Sequence, residues 1–130
     1  MENELLRQSL NSLQQAAEQY QQDGGGQARD YCVQRFESAF DRATGVLTQL
    51  LGEDFPQQIE LGVASGLLLN GWKQWNRYRQ ARRLACEKEL PAEWDIKAEM
   101  IIANVPGFLT DARYLLKQTA EPMQPQLATA

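Results

Sequence analysis

The stretch Gln27-Ala28-Arg29-Asp30-Tyr31-Cys32-Val33-Gln34-Arg35-Phe36-Glu37-Ser38-Ala39-Phe40-Asp41-Arg42-Ala43-Thr44-Gly45-Val46-Leu47-Thr48-Gln49-Leu50-Leu51 decides the fold. Within it, Cys32, Phe36, Phe40, Ala43, Leu47 and Leu50 follow one another at steps of four, four, three, four and three residues. Such steps return a side chain to the same face of an α-helix. Ala39, Val46 and Leu51 widen this seam, as the core position of a helical bundle requires.

Toward the N-terminus, Leu6, Leu10, Leu13 and Ala17 mark an amphipathic helix from Glu2 to about Gln22, broken by Asp23-Gly24-Gly25-Gly26. Toward the C-terminus, Gly52-Glu53-Asp54-Phe55-Pro56 is a turn in which Asp54 can cap a third helix with Pro56 in its first turn. That helix is predicted over Pro56–Leu69, with Ile59, Val63, Leu67 and Leu68 on its apolar side. A fourth is predicted from Trp72 to about Lys88, stopping before Pro91. A last helical stretch covers about Ala92 to Lys117, where Pro106-Gly107 must kink or split it. No alternating strand pattern and no internal repeat is present. The expectation is an all-α fold, an up-and-down antiparallel bundle of four to five helices. It forms one domain over 1–118, with 119–130 a loose tail. The core is expected to hold Phe36, Phe40, Leu47, Leu50, Ile59, Val63 and Leu67.

Composition narrows function. The chain has 130 residues and a formal net charge of −4, which gives no overall case for nucleic-acid binding. It has no histidine, which removes Ser-His and Cys-His nucleophile pairs, histidine general bases and most transition-metal sites. Gly24-Gly25-Gly26 lacks the strand and lysine of a phosphate loop. Cys32 and Cys86 have neither metal nor disulfide spacing and read as small buried hydrophobes in a reducing compartment. Glu37 and Asp41, one turn apart on one helix, do not make a metal site. No catalytic residue, metal or cofactor is expected. The polar, acidic start and the shortness of the apolar stretch near Leu61–Leu69 point to the cytoplasm and away from a membrane.

One local feature stands apart. Between Leu61 and Cys86 there is no acid, yet the window holds Lys73, Arg77, Arg79, Arg82 and Arg83, five of the chain's 13 cations. Trp72, Trp75, Arg79, Arg82, Arg83 and Cys86 share one side of the fourth helix. Guanidinium forks beside indoles suit a nucleotide phosphate or an acidic partner surface. The competing account has the tryptophans in the core and the arginines paired with Glu37 or Asp41. The candidate ligand- or partner-binding set is Arg79, Arg82, Arg83, Trp72, Trp75 and Glu37.

Val33-Gln34-Arg35-Phe36-Glu37-Ser38-Ala39-Phe40-Asp41 resembles the second-helix signature of nucleotidyltransferase substrate-binding-like proteins of the HEPN group. Pro56, Ala64-Ser65-Gly66-Leu67-Leu68 and Trp72 look like that family's third helix, its turn and its tryptophan, so the resemblance covers roughly residues 4–118. It implies a helical bundle that dimerises and works beside a separately encoded nucleotidyltransferase. In many members the fourth helix carries an arginine, a histidine and a tyrosine, for RNA cleavage and for adenylylation. Trp72 sets Arg79 as the motif arginine, which puts Leu84 at the histidine position and Cys86 at the tyrosine position. Leucine cannot move a proton and cysteine has no phenol. The expectation is therefore a non-catalytic binding subunit of a two-component system, not an enzyme. The alternatives are a degenerate RNA-binding domain and a structural homodimer without a ligand.

Overall fold

Six helices occur in the computed structural model, which describes residues 2–88 and 93–120: α1 (Glu2–Asp23), α2 (Gly26–Leu51), α3 (Phe55–Ala64), α4 (Trp72–Ala85), α5 (Trp94–Ala103) and α6 (Val105–Ala120). Among the described residues there is no strand, so the all-α expectation holds. The count is six because the last predicted stretch divides at Asn104. Pro106 then occupies the first turn of α6, where a missing backbone N–H costs nothing. The predicted tail begins inside α6 at Thr119, and residues 121–130 lie outside the described ones.

The turns follow from local chemistry. Gly24 takes φ +71 to close α1, its N–H donating to the Tyr20 carbonyl at 2.7 Å. Asp54 caps α3 as expected, its carboxylate accepting from the Gln57 N–H at 3.0 Å. The third helix stops at Ala64, five residues short of the predicted Leu69. Gly66 takes φ +83, and the N–H groups of Leu67 and Leu68 turn back to the Gly62 carbonyl. Leu68 lands on Gly62, where any Cβ would sit 2.6 Å from its Cδ1.

Leu6, Leu10 and Leu13 of α1 are buried, together with Cys32, Val33, Phe36, Phe40 and Leu47 of α2. Phe36, Phe40, Leu47 and Ile59 join the core as expected, whereas Leu50 and Val63 are exposed and Leu67 is half-buried. For Leu67 the reason lies in the early end of α3: Leu68, carried back over Gly62, takes the buried position instead. At the centre Phe108 meets Phe36, Trp75 and Tyr78 edge-on, with ring centroids 5.2, 6.1 and 5.4 Å apart. No described helix is long and apolar enough to cross a membrane.

Candidate functional site

Gly71 precedes α4 with no side-chain cap, and the helix is then oriented by one apolar ladder: Trp75, Tyr78, Ala81 and Ala85 all face the core. That ladder fixes what the rest of α4 presents. Trp75 is wholly buried, so it stands in the core and not on the strip expected from the sequence. Trp72, three residues earlier, is 41% exposed.

The arginines divide as well. Arg82 grips Asp41 of α2 with two parallel bonds, Nε–Oδ1 at 3.0 Å and Nη2–Oδ2 at 3.1 Å, and reaches Glu37 at 3.6 Å. This is the internal pairing that competed with ligand binding in the sequence. Glu37 is partly buried; burial pushes its carboxyl above the ordinary 4.5, with Asp41 adding to the rise and Arg82 opposing it. Arg79 makes no ion pair among the described residues. Its guanidinium carbon lies 4.9 Å from the centroid of Phe55 and 5.1 Å from that of Trp72, and Nη2 donates to Asn76 Oδ1 at 3.3 Å. Its Nε is buried without a hydrogen-bond partner in the described structure. Arg83 and Cys86 are exposed, and Arg82 Nη1 lies 3.5 Å from Cys86 Sγ.

Beside the stack of Phe55, Arg79 and Trp72 runs an open, mainly apolar groove of about 560 Å³, lined by Pro56, Ile59, Glu60, Val63, Gly71 and Trp72. Leu61, Val63 and Leu69 are exposed around the same α3–α4 corner. The structure thus brings Trp72 and Arg79 together, joins Arg82 to Glu37 elsewhere on α4, and leaves Arg83 in solvent. Among the described residues no three cysteine or acidic side chains gather closely enough to hold a metal ion.

Two features of this region escaped the sequence reading. Asp111 of α6 is buried, accepting hydrogen bonds from Asn70 Nδ2 at 2.6 Å and from the Tyr78 hydroxyl. Burial, and then the bond to Asp111, pushes the Tyr78 phenol well above its ordinary 10.0. Gly107 makes room for it, since a Cβ there would stand 3.1 Å from the Tyr78 oxygen. This network ties α6 to α4 and to the turn before α4. The signal was an acid set among Phe108, Ala112 and Leu115, three residues on one apolar stripe. Phe55 is the second. It sits half-buried under Arg79, and its only signal was an aromatic in a turn. No family model, curated protein or solved structure matches the chain.

Proposed function

We propose that this chain is a non-catalytic binding subunit that docks a separately encoded nucleotidyltransferase through its α3–α4 corner. The resemblance over Val33–Asp41 and Pro56–Trp72 supplies the partner class, and Leu84 and Cys86 in place of the proton-transferring and modifiable residues support a binding role. The up-and-down bundle belongs to the same reading, supported by the packing of α1 against both α2 and α6.

The observation that carries the docking face is Trp72, 41% exposed over Arg79 and Phe55 at the mouth of an apolar groove. Large, rigid aromatics and arginines beside a pocket are the side chains on which binding energy concentrates. Arg79, stacked but without an ion pair among the described residues, offers its fork to a carboxylate. The partner surface is therefore an apolar ridge with acids beside it. Arg82 already has its carboxylates, so the recognition group is Trp72 with Arg79.

The test is co-purification of the tagged chain from its native host, read by mass spectrometry, beside Trp72→Ala and Arg79→Ala. The expected result is a nucleotidyltransferase retained by the wild type and lost by both variants, with unchanged melting. Light scattering on the purified chain separates the homodimer. A stable dimer that Trp72→Ala dissolves would give this face to a second copy and overturn the proposal.

A further inference from the structure

The anion site sought on α4 has a better-built counterpart on α2. Arg35, Ser38, Arg42 and Gly45 follow one another along one ridge of that helix at steps of three, four and three residues. With Ser9 of α1 and Asp41 they line an open polar groove of about 460 Å³. Neither Arg35 nor Arg42 makes an ion pair among the described residues, whereas Arg29 and Arg82 both do. Asp41 is the one carboxylate among the lining residues, and Arg82 holds both its oxygens. Its charge is thus already compensated, and the two free guanidiniums leave the groove positive.

Arg35 is held in place without a counter-charge. Its guanidinium carbon stacks 5.5 Å from the centroid of Tyr31, and its Nε is buried with no hydrogen-bond partner in the described structure. Stacking and the buried Nε fix the guanidinium, and its terminal nitrogens make no hydrogen bond among the described residues, which leaves them to an acceptor in the groove. The Ser9 and Ser38 hydroxyls supply two further donors and make no side-chain hydrogen bond among the described residues. Gly45 sits inside a helix where alanine is better by about 1 kcal/mol, and it keeps the groove wall free of a side chain.

We infer that the α1–α2 groove binds a phosphate group. Two planar forks seven residues apart on one helix face, with two hydroxyls between and across from them, match a tetrahedral dianion better than a carboxylate. The group reaches the groove either free or on a nucleotide, and the site does not depend on the α3–α4 corner having a protein partner.

Calorimetric titration of the full chain with inorganic phosphate, ADP and adenosine tests this at low and moderate salt. Phosphate and ADP are expected to bind and adenosine is not. Equal affinity for phosphate and ADP marks the free anion as the ligand; tighter ADP marks a nucleotide. Arg35→Ala and Arg42→Ala should each weaken binding about tenfold or more, Arg35→Lys less than Arg35→Ala, and all binding should weaken as salt rises. Arg42 is exposed, so its variant reports on binding even where Arg35→Ala disturbs folding. Arg113→Ala, on a residue that bonds Asn11 and Gln14 instead, should leave binding unchanged. Absence of phosphate and ADP binding at millimolar ligand overturns the inference. So does binding that Arg42→Ala leaves intact.

Discussion

Trp75 and Trp72 lie three residues apart on α4 and belong to two regions of different construction. Trp75 enters the aromatic centre, where Phe36, Tyr78 and Phe108 interlock edge-on and every ring is at least 95% buried. Trp72 stands at the α3–α4 corner, where Leu61, Val63 and Leu69 are also exposed. In the centre, apolar surface is removed from water within the chain itself. At the corner a comparable run of apolar side chains stays wet. The fold spends one indole on its own stability and leaves the other on its surface, beside an arginine with no carboxylate partner among the described residues. Clustered rather than scattered exposure is what marks a docking surface.

The largest effects should come from the centre. Phe36→Ala removes a fully buried ring that touches both Phe40 and Phe108, and should cost about 3–5 kcal/mol by denaturant unfolding. A loss below about 1 kcal/mol would mean that the rings do not pack as described. Next comes the network that anchors α6. Asp111→Ala strands the buried Tyr78 hydroxyl and should cost about 1–3 kcal/mol, and Asp111→Asn, which keeps one acceptor, should cost less. Equal losses in the two variants would show that the acceptor does not matter.

The centre should also set an alkaline limit. Burial pushes the Cys32 thiol from the ordinary 9.0 to about 11. An unfolded chain releases that proton first, so the folded state binds more protons between those values and stability falls as pH rises from 9 to 11. Tyr78, raised above 10.0, acts in the same direction. Urea midpoints across this range should drop, and Cys32→Ala should remove part of the drop. A thiol titration at pH 8 should find exposed Cys86 reactive and Cys32 protected until the chain unfolds. Smaller still is Arg82→Ala. The Asp41 side chain is 57% exposed, so the pair is a surface one worth about 1 kcal/mol or less. A loss of about 3 kcal/mol or more would instead indicate a buried, uncompensated charge.

The α1–α2 half was readable because the apolar steps of α2 run unbroken for about five turns from Cys32 to Leu50, and period alone settles such a helix. The corner was not. Gly62 and Gly66 reroute the chain after Ala64, and the periodicity of Ile59, Val63, Leu67 and Leu68 does not announce that Ile59 and Leu68 are buried while Val63 stays exposed. On α4 the helix side was read from Trp72 and the arginines, whereas the ladder Trp75, Tyr78, Ala81 and Ala85 orients it. That ladder is present in the sequence, but a tyrosine and two alanines carry a weak apolar signal beside five cations. Which arginine would be paired depended on Asp41 lying 41 residues away, a long-range contact with no local signature.

The most direct test sets Trp75→Ala beside Trp72→Ala in thermal melts and in capture of the co-purified partner. Trp75→Ala should lose about 3–5 kcal/mol and lose capture only as it unfolds. Trp72→Ala should melt close to wild type and still fail to hold the partner. A Trp72→Ala variant that loses as much stability as Trp75→Ala, or that captures the partner at the wild-type level, would contradict the division of α4 into a folding indole and a docking one.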